Sequence, residues 1–384
     1  MKKITGLILT VVLMLSVISV NAYAEELHDM KVEINAKSAV LMEASTGEIL
    51  MSKNAHEKVY PASVTKIMSL LLVTEAIDQG KIALTDVVTA SAEASKMGGS
   101  QIWLKQGEQM TVDDLLKATA IASANDACFA LGEYVAGSDT AFVKMMNDRA
   151  KELGMNDTVF ENCSGLDDTV QNHITSAYDV AVMSRELLKH ERIRNYTTVW
   201  MDTLRGGETQ LVNTNKLIRF YKGATGLKTG TTSKAGCCVS ATAERDGLSL
   251  IAVVMGSESS NDRFSGARAM LDWGFANYSL AELSVDPALI TDVNIIGGEQ
   301  DKISPQITEK KFAVIEKGKE DKITLVPDLA IDVEAPIEKN QVLGMVKFML
   351  DDKEIGKINL CSPEAVKKLT FPDYLVRFLT SLCR

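Results

Sequence analysis

Three short clusters in the 384-residue chain have the residue types and spacing to do chemistry. The first is Ser63-Val64-Thr65-Lys66, the only S-x-x-K in the sequence. On a helix, residues three apart share a face, so the Lys66 ammonium can reach the Ser63 hydroxyl. A serine hydroxyl is a weak nucleophile until a base takes its proton. Lysine can be that base only when burial or nearby positive charge lowers its proton affinity. The second cluster is Ser123-Ala124-Asn125, in which a hydroxyl can relay protons and an amide can grip a peptide carbonyl. Its plainer reading is a helix break with Asn125 or Asp126 as N-cap. The third is Lys228-Thr229-Gly230, expected to open the strand that runs into Gly236-Cys237. There a cation stabilises charge and lowers the pKa of Lys66, a hydroxyl binds a carboxylate, and a glycine admits a ligand close to the backbone. The plainer reading is a turn before a strand.

Elements to position these clusters are legible around them. Residues 37–51 read as a strand pair turning at Ser45-Thr46-Gly47. A helix opens at Tyr60-Pro61 and carries Ile67, Leu70, Leu71, Thr74 and Ile77 on one face, with Gly80 as its stop. Residues 111–200 look mainly helical, with Thr111 to Asp114 as a capping box and further helices near 140–153 and 177–190. From Gly226 the text changes to strands, 236–243 and 248–255, around a turn at Arg245-Asp246-Gly247, and a helix over 263–278 follows. Sheet at both ends with helices between predicts an α/β core with a helical subdomain. Beyond about 280, short β-type runs alternate with charged turns and predict a small β-rich domain.

Taken together and in this order, the three clusters match the active-site set of the penicillin-recognising serine enzymes. The flanking text Tyr60-Pro-Ala-Ser-Val-Thr-Lys-Ile-Met68, Ser123-Ala-Asn-Asp-Ala127 and Gly226-Leu-Lys-Thr-Gly-Thr-Thr232 resembles the low-molecular-mass D-alanyl-D-alanine carboxypeptidases. The resemblance covers roughly 35–280 and, more loosely, the rest of the chain. It implies a β-lactamase/transpeptidase-like fold and removal of the terminal D-alanine from peptidoglycan pentapeptides, with β-lactams as covalent inhibitors. It implies Ser63 as nucleophile, Lys66 as base and Ser123 as proton relay. Asn125, Lys228, Thr229, Gly230 and Thr231 would bind substrate, with the N–H groups of Ser63 and Thr231 as oxyanion hole and no cofactor. Arg263 stands where such enzymes place an arginine, and its fork suits a carboxylate; otherwise it is a surface arginine. Ala124 stands where many relatives have glycine or aspartate, and Thr231 where several have histidine or tyrosine. No E-x-x-L-N follows Ser123, which disfavours rapid β-lactam hydrolysis. A β-lactamase, a D,D-endopeptidase and a non-turnover β-lactam sensor remain alternatives on the same scaffold.

The remaining text bounds the setting. Lys2 and Lys3, the apolar run from Ile4 to Val20 and Ala22-Tyr23-Ala24 predict a signal peptide over 1–24, or else an uncleaved anchor. Both put the working part outside the cytoplasm. The expected division is then 25–280 as catalytic domain, 281–368 as β-rich domain and 369–384 as a helix. In that helix Phe371, Tyr374, Leu375, Phe378, Leu379 and Leu382 form one stripe, with Lys367, Lys368, Arg377 and Arg384 near it. That pattern predicts an amphipathic anchor on the outer face of the cytoplasmic membrane, or alternatively a helix docked on the β-rich domain. A net charge of −10 without a basic stripe argues against nucleic-acid binding. Four histidines without metal spacing argue against a zinc peptidase. The six cysteines have irregular spacings and read mostly as buried free thiols.

Overall fold

The computed structural model describes residues 29–168 and 170–382, so the signal peptide expected over 1–24, and Cys383, lie outside the described residues. The expected first hairpin is β1 (Ser38–Glu43) and β2 (Ile49–Lys53). Its turn is tied by the Glu43 carboxylate, which accepts from Ser45 Oγ, Thr46 N and Thr46 Oγ1. Three further strands, β3 (Ala224–Thr232), β4 (Gly236–Arg245) and β5 (Leu248–Ser257), complete an antiparallel sheet ordered β2-β1-β5-β4-β3. Between β4 and β5, Asp246 (φ 51°) and Gly247 (φ 80°) are both left-handed, the two-residue turn whose twist suits a hairpin. Both faces of the sheet are covered, which is why β4 and β5 read as unbroken runs of small and aliphatic residues. Val253 packs into the core on one face and Val254 into the core on the other.

Lys228-Thr229-Gly230 does not open the strand leading into Gly236-Cys237. It lies within β3 at the edge of the sheet, and Gly236-Cys237 begins the neighbouring strand, with Thr231 opposite Cys237. Residues 233–235 reverse the chain, and Gly236 takes φ 66°, so one apparent strand is two.

The helical layer follows the expected order. A 3₁₀ turn, Ala62–Thr65, precedes α1 (Lys66–Asp78), so the α-helix proper starts at the lysine rather than at Tyr60-Pro61. Next come α2 (Val112–Ile121), α3 (Asn125–Ala136), α4 (Asp139–Glu152) and α5 (Ala177–Leu188). The Thr111 hydroxyl accepts from Asp114 N at 3.1 Å, the N-cap bond of the expected box, while the Asp114 carboxylate accepts from that hydroxyl at 2.9 Å. Between the two expected helices, residues 155–168 and 170–176 are irregular; Gly154 (φ 75°) ends α4, and short bridges from Val159 to Ile174 and Val59 to Thr175 tie the loop down. Against the other sheet face lies α6 (Ser260–Asn277), whose N-cap Ser259 accepts from Asp262 N.

From Tyr278 the chain builds the expected β-rich part, with hydrophobic clusters of its own around Phe348 and Ile337. Strands β6 (Tyr278–Leu283) and β7 (Lys311–Glu316) pair. Strands β8 (Thr324–Leu329), β9 (Val342–Leu350) and β10 (Lys353–Cys361) pair as an antiparallel meander. The terminal helix is α7 (Phe371–Leu382). Cys128, Cys163, Cys237, Cys238 and Cys361 are buried free thiols.

Asp126 is the polar pin of the helical layer: fully buried, its carboxylate accepts from Ile102 N (3.2 Å), Leu104 N (2.9 Å) and Ala127 N (2.9 Å). Asp126→Ala strands the buried N–H groups of Ile102 and Leu104. It is expected to destabilise the fold by about 2–4 kcal/mol, read as a lower midpoint in urea unfolding.

Candidate active site

The turn Pro61–Lys66 is buried except at Ser63, which is partly exposed. Ala62 holds a left-handed φ of 46°, unusual for a residue with a Cβ. The 3₁₀ turn followed by α1 brings Lys66 Nζ to 3.0 Å from Ser63 Oγ. Lys66 is wholly buried, and its ammonium also donates to Asn125 Oδ1 at 2.5 Å and to the Ser164 carbonyl at 2.8 Å. Burial lowers its pKa from 10.5 to about 8. Lys228, equally buried, is pushed well below the ordinary lysine value, first by burial and then by the charges of Lys66 and Arg263. Desolvation is the leading cause at both lysines, and the repulsion between their charges acts on the pair in the same direction.

Asn125 is not the N-cap of α3. Ala124 occupies that position with no side-chain bond, which frees the Asn125 amide: Oδ1 faces Lys66 and Nδ2 donates to Gly98 O at 2.7 Å. The Asn125 N–H donates to Ser100 O, also at 2.7 Å. Ser123 sits in the break between α2 and α3 at φ 63° and is buried. Its hydroxyl makes no hydrogen bond to Ser63 or Lys66 among the described residues.

Across the cleft, β3 supplies the third cluster. Gly230 lies against the nucleophile turn so closely that a Cβ there would come within 2.8 Å of Ser63 N and 3.0 Å of Pro61 O. Thr229 Oγ1 donates to Thr214 Oγ1 at 2.7 Å. Thr231 is exposed at the strand end. Arg263 reaches the site from behind: its Nη1 donates to Gly230 O (2.9 Å), Thr231 Oγ1 (2.8 Å) and Cys238 O (3.3 Å). It is buried rather than a surface residue, and burial lowers its proton affinity. A bridge closes one end of the cleft, where Thr232 Oγ1 donates to the Asp167 carboxylate and Lys234 Nζ donates to Asp167 O.

Sequence reasoning missed Ser164, Gly98, Thr214 and the loop 161–173. Ser164 and Gly98 act through backbone carbonyls, which leave no trace in residue type. Gly165, at φ 85°, is the one signal that could have pointed to the loop: a Cβ there would fall 1.8 Å from Ala62 O and 2.8 Å from Thr65 Oγ1.

A partly exposed serine beside a buried lysine, between a helical layer and the edge strand of an antiparallel sheet, defines a serine acyl-transfer enzyme. A profile of the D-alanyl-D-alanine carboxypeptidases (peptidase S11) matches residues 23–259, and one of the penicillin-binding protein 5 C-terminal domain matches 281–368. D-alanyl-D-alanine carboxypeptidase DacF of Bacillus subtilis is 41% identical over 347 residues, 89% of this chain and 88% of the relative. Penicillin-binding protein 5 of Haemophilus influenzae superposes with a TM-score of 0.80 at 31% identity, covering 88% of this chain and 99% of that one. Penicillin-binding protein D2 of Listeria monocytogenes, solved with ampicillin bound, aligns with a TM-score of 0.59 at 31% identity, covering 64% of this chain and all (100%) of that one. The chain belongs to the D-alanyl-D-alanine carboxypeptidase family, as a serine enzyme of that activity.

Gly165→Ala puts a methyl group into the Ala62 carbonyl and the Thr65 hydroxyl. Expected are a loss of about 2–4 kcal/mol in stability and slower labelling by a fluorescent penicillin in the folded fraction.

Proposed function

We propose that Ser63, deprotonated by Lys66, attacks the carbonyl between the two D-alanines of a peptidoglycan stem pentapeptide and expels the terminal D-alanine, and that water then hydrolyses the acyl-enzyme to free Ser63 and the shortened peptide. One observation carries this reading: Lys66 Nζ, itself wholly buried, lies 3.0 Å from the Oγ of the partly exposed Ser63, and that burial lowers the cost of the neutral amine. The oxyanion is received by the N–H groups of Ser63 and Thr231, which flank the close approach at Gly230. Ser123 passes the proton to the leaving D-alanine, and Asn125 holds the substrate's peptide group. Lys228 and Thr229 face the terminal carboxylate. Arg263 serves that carboxylate through Thr231, whose hydroxyl it holds. β-Lactams acylate the same serine.

A pentapeptide ending in D-Ala-D-Ala should release free D-alanine with the wild type and none with Ser63→Ala; release by the mutant removes Ser63 from the reaction. Lys66 must be neutral to act as base, and with a pKa of about 8 roughly a tenth of it is neutral at pH 7. The acylation rate should therefore rise about tenfold per pH unit up to about 8 and level off above it. A flat profile from pH 6 to 9 assigns the proton to another group.

The same reading places the enzyme at the cell envelope: residues 1–24 direct export, 25–280 catalyse, 281–368 form a spacer, and 369–384 rest on the outer face of the cytoplasmic membrane. In support, α7 leaves Phe371, Leu375, Phe378 and Leu379 exposed, while Arg377 pairs with Asp301 (2.9 Å) and fixes its other side to the β-rich part. Its 12 residues are too few to cross a bilayer, so the helix lies flat. Deleting 371–384 should free an active enzyme from anionic vesicles, measured by co-sedimentation; retention by the truncated protein puts the anchor elsewhere.

A further inference from the structure

We propose that His173 and Thr65 orient and polarise the oxyanion-binding N–H of Ser63, acting through the carbonyl of Ala62. The proposal deepens the reading above and rests on the Ser63 N–H being an oxyanion donor.

Ala62 C=O and Ser63 N–H are opposite ends of one planar peptide group, so whatever fixes the oxygen also fixes the direction of the N–H. The Thr65 hydroxyl donates to Ala62 O at 2.8 Å. Thr65 Oγ1 lies 2.8 Å from His173 Nε2, while His173 Nδ1 accepts from Glu161 N at 2.9 Å. With Nδ1 as acceptor, the ring proton of neutral His173 is on Nε2 and points at Thr65. The donors therefore run one way, from Glu161 N–H to the imidazole, from the imidazole to Thr65 and from Thr65 to the Ala62 carbonyl. Each bond in such a chain strengthens the next, and the last withdraws electron density from the peptide whose N–H faces the site.

The surroundings hold this chain in one state. Thr65 and His173 are both fully buried. Burial lowers the His173 pKa to about 4, which keeps the neutral tautomer that the chain requires. Thr175, two residues on, exchanges both backbone hydrogen bonds with Val59, so the histidine is tethered to the strand segment that leads into Pro61-Ala62-Ser63. Gly165 packs over Ala62 O and Thr65 Oγ1 without a side chain, and no other residue type fits there. Ala62 carries a left-handed φ of 46° that such a network is suited to hold. Thr65 and His173 are positioning residues, since neither touches the reacting atoms.

The test reads the carbonyl stretch of the acyl-enzyme formed with a β-lactam carrying ¹³C at its reactive carbonyl, together with steady-state release of D-alanine. A hydrogen-bonded acyl carbonyl absorbs at lower wavenumber than a free ester. Thr65→Val, nearly isosteric, should move the band up and lower kcat by about 10- to 100-fold with KM nearly unchanged, and Thr65→Ser should restore both. His173→Leu should shift both readouts in the same direction, and His173→Gln, whose amide N–H can replace Nε2–H, should recover part of each. A folded Thr65→Val with an unshifted band and wild-type kcat overturns the proposal. So does a His173→Leu protein indistinguishable from His173→Gln, and that comparison decides the matter if the valine variant does not fold. A wild-type band already at the position of an unbonded ester refutes the oxyanion reading itself, a result separate from either mutant outcome.

Discussion

A lysine ammonium taken wholly out of water must be given oxygens in return, or it surrenders its proton. Lys66 sits on that boundary. Three oxygens surround it, from Ser63 in the nucleophile turn, Asn125 at the start of α3 and Ser164 in the irregular loop. No two of these segments are adjacent in sequence, so the chain must be folded before the cation can be buried. The burial in turn lowers the proton affinity enough for a base. Much of the rest of the structure serves to hold those oxygens at one point.

Each segment has its own support. Asn125 is gripped by Gly98 and Ser100, and their loop is pinned by the Asp126 carboxylate. The same loop is fastened from outside by Arg205, which donates to Ile102 O and pairs with Glu108. The Ser164 loop is tied to β3 through Asp167 and to the nucleophile turn through Gly165 and His173. β3 completes the cleft because Gly230 lacks a side chain that would strike Ser63 N. Backbone groups do as much of this work as side chains, which is economical: a carbonyl fixed by secondary structure gives up little conformational freedom on binding a cation.

The β-rich part stands apart from this chemistry. Its own cores are small, Val314 of β7 packs into the catalytic core beneath α6, and α7 is attached to it through Arg377 with apolar side chains exposed.

The three clusters were legible in the sequence because nucleophile, base and carboxylate binder are defined by side-chain type, and the members of each cluster lie within three residues of one another. The hairpins, the Thr111 cap and the helices over α4 and α5 were legible for the same reason, being set by near neighbours. The amino-acid text alone thus determined the reaction class and the family resemblance. It misplaced the strand carrying Lys228 because Ser233 to Gly236 hides a reversal between two similar runs. It left the stretch between the helices at 140–153 and 177–190 without an assignment, because bridges between distant segments hold that loop and periodicity does not register them. Only the tertiary structure decided that Lys66 is buried by a carbonyl 98 positions away, that Arg263 works from behind Thr231, and that His173 reaches the nucleophile turn through Thr65. These are contacts between atoms far apart along the chain, many of them on the backbone, where every residue carries the same donor and acceptor. Residue identity cannot announce them.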